Sequence, residues 1–290
     1  MTAGISLWEL IKNRTLKDFI LFDGILERKR KYYKRGRSEI KAIKNLDYVL
    51  GRTFWDFAQV KSLNPSVNYY SCERSLRREF FDKSWNIDNV KAFSIFVSQC
   101  HTPFKGLHIL LKAVYILKKD YPDIRVNIAG IDITSTKSLI EKLKIGTYGK
   151  FLTSLIKNLK LTENIKFLGT LNADGMAQNL SDSHCFVMPS FIENSPNSLA
   201  EAMLVGTPSI ASFVGGAPEV IKHGENGYLY NPYEPESLAY YIDKVFNSDE
   251  LSSSLSINGR LESRGKHVSD GNANNLLKAY KEIIVDYEEK

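Results

Sequence analysis

Apolar and polar positions become regular only from Phe93 onward. Phe93–Ser98 (FSIFVS) is a short apolar run that predicts a buried strand. Behind it Leu107, Leu110, Leu111, Val114 and Leu117 recur at the spacing of one helix face, which predicts a helix over 106–117. The alternation continues with strands at 124–129, 164–168, 184–188, 207–211 and 228–230. Helices are predicted at 148–159, 173–180, 197–205, 235–246 and 269–286. Strands alternating with helices predict an α/β fold, a Rossmann-like parallel sheet with helices on both faces. Such sheets bind ligands in the crevice beyond the carboxyl ends of their strands.

Before Phe93 the pattern is mainly helical. Residues 1–45 read as helix, and 52–63 as a helix opened by Thr53 and closed by Asn64-Pro65. Charge separates this part from the rest. Residues 1–45 hold 12 Lys/Arg and 5 Asp/Glu, a balance of +7, whereas the whole chain is +6. Phe19, Ile20, Leu21, Phe22, Ile25 and Leu26 precede a basic run from Arg28 to Arg37. Over residues 19–37 that combination suits peripheral contact with an anionic membrane. The alternative is a solvated charged face whose apolar residues pack on a neighbouring element. No nucleic-acid-binding motif accompanies the charge, so a nucleic-acid partner is not expected.

With 43% apolar and 25% charged residues the 290-residue chain has the composition of a globular protein with a substantial core. It contains no apolar run of about 18 residues, the length a membrane span needs. Cys72, Cys100 and Cys185 form neither a CxxC pair nor a disulfide framework. A cytoplasmic location is expected, extending to the inner face of the membrane through residues 19–37. The five histidines show no close metal-ligand spacing, and no Asp-x-Asp pair is present; no metal site is expected.

The chemistry is sought in the loops. After the first strand of the regular region comes Gln99–Gly106, in which Lys105 and Gly106 stand where the loop turns into a helix. A glycine there permits close backbone approach, and a lysine can reach a phosphate. After the strand at 184–188 comes a stretch holding Glu193 and Glu201. On one continuous helix they would stand about 80° apart. Pro196 and the polar run Asn194–Ser198 instead put Glu193 in the loop and Glu201 about one turn inside the helix. A helix start exposes free N–H groups and favours phosphate. After the strand at 207–211 comes Gly215-Gly216-Ala217-Pro218-Glu219.

Taken together, residues 93–250 closely resemble the C-terminal domain of glycosyltransferase family 4. The matching residues are Lys105-Gly106, Phe167-Leu168-Gly169, Met188-Pro189-Ser190, Glu193 and Glu201-Ala202-Met203. Gly206-Thr207-Pro208, Gly215–Glu219 and His223–Gly227 complete them. The resemblance implies a GT-B fold and a transferase that moves a sugar from a UDP- or GDP-sugar, needs no further cofactor or metal, and retains anomeric configuration. It implies that Lys105 neutralises the donor diphosphate and that Glu193 touches the donor sugar and its reacting face. Gly106 with Ser195, Pro196, Asn197 and Ser198 would hold sugar and phosphates. Glu201 would bind the ribose hydroxyls, and Gly215 and Gly216 would line the donor pocket. The acceptor would be a glycan or a lipid-linked molecule, in surface polysaccharide or glycolipid synthesis.

The resemblance also divides the chain. Residues 1–92 would be a partial acceptor domain, 93–265 the nucleotide-sugar domain, and 266–290 a helix returning toward the N-terminal part. The family usually has an arginine about six residues before the lysine, and no arginine lies between Phe93 and Lys105. His101 is the residue placed to substitute in part. The alternative function is a truncated module that binds nucleotide-sugar without transferring it.

Overall fold

The computed structural model describes residues 2–20, 24–135, 145–267 and 269–289. Its N-terminal stretch contains helices Leu7–Lys12, Leu16–Ile20, Ile25–Ile43 and Phe54–Leu63. It also contains two strands without counterpart in the sequence reading, β1 (Tyr48–Gly51) and β2 (Asn68–Ser71), which pair in parallel. Each is four residues long and only partly covered, so no apolar run announced them. Of the apolar patch read at 19–26, Leu21 and Phe22 lie outside the described residues, as do the side chains of Phe19 and Leu26. Ile20 is 70% exposed, and Ile25 packs on the core.

The main body is a six-stranded sheet. Its strands are β3 (Lys91–Ser98), β4 (Arg125–Ala129), β5 (Ile165–Gly169), β6 (Ser183–Met188), β7 (Ser209–Ser212) and β8 (Tyr228–Tyr230). Their spatial order is β5–β4–β3–β6–β7–β8, with every pairing parallel. The order reverses between β3 and β6, which is the switch point where a doubly wound sheet opens a crevice.

Successive side chains of a strand point to opposite faces. Ile95 and Val97 therefore enter one apolar cluster with the helices Leu107–Leu117, Thr147–Asn158 and Pro235–Phe246. Phe96 enters the other, with Ala173–Asp182 and Asn197–Val205. The N-terminal stretch is built into both: Ile5 and Leu10 join the first cluster, Phe80 and Trp85 the second. Each such side chain contributes about 1.5–3 kcal/mol by burial. The Trp85 indole N–H donates to the Ser183 carbonyl at 2.8 Å, so its polar atom is also satisfied.

The helix Asp249–Lys266 was not expected from the apolar pattern. Its inward face carries Ser252, Ser256, Gly259 and Ser263, and the hydroxyls of Ser252 and Ser263 donate to the carbonyls of Val245 and Ala200. Small polar residues let it approach closely while hiding its periodicity. The next helix, Ser269–Glu288, reaches back to β1, where the Tyr48 hydroxyl donates to Asp286 at 2.5 Å. Among the described residues no helix is long and apolar enough to cross a membrane.

Candidate functional site

Two loops meet at the switch point. The loop after β3 carries Lys105 and Gly106; the loop after β6 carries Pro189 to Pro196. Gly106 has φ +69°, and a Cβ there would lie 1.7 Å from the Pro189 carbonyl oxygen. Only glycine satisfies both the left-handed backbone and that approach. The Phe191 N–H donates to the Phe104 carbonyl at 2.7 Å, which ties the loops together.

The consequence is a pairing across 88 residues of sequence: Lys105 Nζ stands 2.6 Å from Glu193 Oε1. The Ser190 hydroxyl donates to the same oxygen at 2.7 Å. The Glu193 side chain is 16% exposed and the Lys105 side chain 29%. Removal from water strengthens such a pair and also makes each partner costly to leave alone.

Gly215 and Gly216 support this loop from behind. A Cβ at Gly215 would fall 1.6 Å from the Glu193 carbonyl oxygen, and one at Gly216 would fall 2.1 Å from that of Asn194. The Gly216 N–H donates to the Asn194 carbonyl at 3.0 Å. Gly215 is not part of the cleft wall, and Gly216 faces an adjoining hollow of 520 Å³. The two glycines thus shape the acid-bearing backbone, and Gly216 shares its hollow with Ser195, Pro196 and Asn197.

The helix Asn197–Val205 begins after Pro196 without a side-chain cap, and Asn197 and Ser198 at its start line the cleft. Glu201 lies on this helix with its side chain only 8% exposed. Burial pushes its carboxyl up, and the adjacent Arg77 pulls it back. Arg77 grips one Glu201 oxygen through Nη2 at 2.8 Å and Nε at 3.3 Å.

Lys105, Glu193, Glu201 and the stretch Ser195–Ser198 line one cleft of 730 Å³ together with Arg74, Arg77, Gln99 and His101. Gly106 sits behind Lys105 and not in the lining. Beside the cleft, a cavity of 390 Å³ with a mixed lining, apolar at Ile25, Phe104 and Ile133 and charged at Lys17, Asp18 and Arg28, shares His101 and Ile131 with it and extends between the N-terminal helices and the loop before Tyr148. Among the described residues no group of three or more His, Cys, Asp or Glu side chains is placed to hold a metal ion.

Several participants escaped the sequence reading. Arg74 and Arg77 come from an irregular stretch with no motif. Thr53 and Asp56 reach across from the N-terminal part to Asn194: the Thr53 hydroxyl donates to Asn194 Oδ1 at 2.6 Å, and the Asn194 amide donates to Asp56 at 2.9 Å. Glu219 accepts hydrogen bonds from the N–H groups of Phe54 and Trp55 at 2.9 and 3.3 Å, capping the helix Phe54–Leu63. The one local sign was the Thr53 start signal.

The family model described as glycosyl transferases group 1 matches residues 77–262. An uncharacterized glycosyltransferase of Methanocaldococcus jannaschii is 30% identical over 226 residues, 77% of this chain and 54% of its own length. The chain thus spans about half the length of that curated relative. Among solved structures, sucrose-phosphate synthase from Thermosynechococcus elongatus superposes with a TM-score of 0.74 at 20% identity, over 88% of this chain and 62% of its own. Anabaena HepE in complex with UDP-glucose gives 0.71 at 17% identity, over 85% and 67%. At these identities the likeness is one of fold, the GT-B glycosyltransferase fold.

Proposed function

Because this chain belongs to the group 1 glycosyl transferases, we propose that its switch-point cleft binds a UDP- or GDP-sugar and that the sugar passes to a glycan or lipid-linked acceptor with retention and without a metal ion. The observation that carries this reading is the Lys105–Glu193 pair at 2.6 Å, in one cleft with Glu201 and the start of the helix Asn197–Val205. When the bond between sugar and diphosphate breaks, negative charge grows on the departing phosphate. A fixed cation and aimed N–H groups lower the barrier by meeting that charge where it develops. Lys105 is assigned to the diphosphate, Glu193 to the donor sugar and its reacting face, and Glu201 to the ribose hydroxyls. Ser195–Ser198 hold sugar and phosphates through the backbone, and Gly106, Gly215 and Gly216 keep the two loops in place.

The cavity that shares His101 and Ile131 with the cleft offers both apolar side chains (Ile25, Phe104, Ile133) and charged ones (Lys17, Arg28), which suits an acceptor with an apolar portion and a polar end. The helix Ile25–Ile43 exposes its basic residues together with Tyr32 and Tyr33, 50% and 65% exposed. We assign it to contact with anionic lipid at the inner face of the membrane, which suits a cytoplasmic enzyme of surface polysaccharide or glycolipid synthesis. Co-sedimentation with phosphatidylserine vesicles, and not with phosphatidylcholine vesicles, is the expected result for that helix.

The decisive experiment is calorimetric titration of the chain with UDP and GDP, followed by assay of sugar release from the matching nucleotide-sugars. Saturable binding of one nucleotide with turnover is expected. Binding without turnover would mark the chain as a nucleotide-sugar-binding module, and binding of neither would end the reading.

A further inference from the structure

Both acids of the cleft hold cations. Glu193 holds Lys105, and Glu201 holds Arg77. The second pair is lopsided: the Glu201 side chain is 8% exposed and the Arg77 side chain 52%. A buried carboxylate needs a partner, whereas a half-exposed guanidinium can turn to water or to another anion at little cost. The polypeptide around Arg77 suits such a turn. Residues 72–77 are irregular, and the chain is pinned immediately afterwards by Phe80, which is fully buried. The guanidinium carbon lies 4.8 Å from the centre of the Phe80 ring, which gives the arginine an aromatic contact that does not depend on Glu201.

We propose that Arg77 is an exchangeable cation of the nucleotide site: it neutralises Glu201 in the empty cleft and moves to the diphosphate when a nucleoside diphosphate binds, as the ribose hydroxyls take over the Glu201 carboxylate. The inference rests on the reading of this cleft as a nucleoside diphosphate site. The charges favour the exchange. A diphosphate brings more negative charge than Lys105 alone can match, and hydroxyl donors satisfy a carboxylate that has lost its cation. A planar guanidinium also fits phosphate oxygens in pairs, which a lysine cannot. Arg77 is therefore a binding residue supplied by the segment before β3, outside every motif of the loops.

The test uses the full chain and four ligands: UDP, GDP, uridine and guanosine, with affinities read by calorimetry or by competition. Arg77→Met keeps an apolar stem over Phe80 and removes the charge. It is expected to weaken the preferred diphosphate by about tenfold or more, while the matching nucleoside binds as well as, or better than, it does to the unmodified chain. Arg77→Lys, which restores the charge without the fork, is expected to recover part of the lost diphosphate affinity. Unchanged or tighter diphosphate binding in Arg77→Met would overturn the proposal, leaving Arg77 as a cover for Glu201. Equal losses for diphosphate and nucleoside would overturn it too, since that is the signature of structural damage. If the unmodified chain binds neither UDP nor GDP, the reading of the cleft fails first and the role of Arg77 falls with it.

Discussion

Lys105 Nζ and Glu193 Oε1 lie 2.6 Å apart although they follow different strands, β3 and β6, and neither reaches the other by local structure. The pair sets up opposite expectations for its two members. Lys105→Met removes the cation assigned to the phosphates, and UDP or GDP affinity is expected to fall about ten- to a hundredfold. Glu193→Gln removes the competitor for the Lys105 amine. Nucleotide affinity should hold or rise while sugar release drops by about a hundredfold or more. Calorimetry beside a turnover assay separates the two, and equal loss of binding in both variants would contradict the assigned roles.

The same junction depends on glycine. At Gly106 an added methyl would strike the Pro189 backbone at 1.7 Å and would also strain a backbone held at φ +69°. Gly169 has a similar φ of +74° but open space around it. Gly169→Ala is expected to cost about 1 kcal/mol from backbone strain alone. Gly106→Ala is expected to cost about 3 kcal/mol or more, because two loops must part. Urea unfolding of the two variants measures the difference, and equal costs would show that the approach of the loops is not what holds them.

How far the sequence reached follows from which forces leave a local trace. Strands β3 to β8 and most of their helices were legible because burial on both faces writes apolar runs and 3.6-residue spacing into the chain. The placement of Lys105 and Glu193 in loops and of Glu201 on a helix was legible because glycine and proline mark where loops turn at strand ends; their grouping into one site came from the family resemblance. The Arg77–Glu201 contact was not, since it joins residues 124 apart through an irregular segment. The helix Asp249–Lys266 was hidden by its buried serines, whose hydroxyls are satisfied by backbone carbonyls. Gly215 and Gly216 pack on the backbone of Glu193 and Asn194, a contact between distant loops that a pair of glycines does not announce by itself.

The hold of the N-terminal part on the site is testable at Glu219. Its carboxylate caps the helix Phe54–Leu63 by accepting from Phe54 and Trp55, adding a favourable negative charge at the helix start. Glu219→Ala is expected to lower stability by about 1 kcal/mol. Amide exchange should accelerate at Phe54 and Trp55 before it does in β3. Unchanged exchange at those two amides would mean that the Thr53 side chain, which accepts from the Asp56 N–H, is a sufficient cap.

His108 makes the fold sensitive to acid. It is buried, with Nε2 2.6 Å from the Ala3 carbonyl and Nδ1 3.1 Å from the Tyr148 hydroxyl, and its ring stacks on Phe191, two residues before Glu193. The Ala3 contact requires the proton on Nε2, which leaves Nδ1 to accept from Tyr148. Burial lowers its pKa to about 4; the Ala3 carbonyl and Glu9 oppose the shift, and Lys112 adds to it. An unfolded chain would take up a proton near pH 6.5, the folded chain only near pH 4. The stability contributed by neutral His108 is therefore complete above pH 6.5 and is lost progressively down to about pH 4, by roughly 3 kcal/mol in all. Urea midpoints measured from pH 8 to pH 4.5 should fall more steeply for the unmodified chain than for His108→Gln, which has an amide to offer Ala3 and no proton to gain. Parallel pH profiles for the two proteins would show that this histidine titrates alike in folded and unfolded chains, and the acid sensitivity would then belong to the carboxylates.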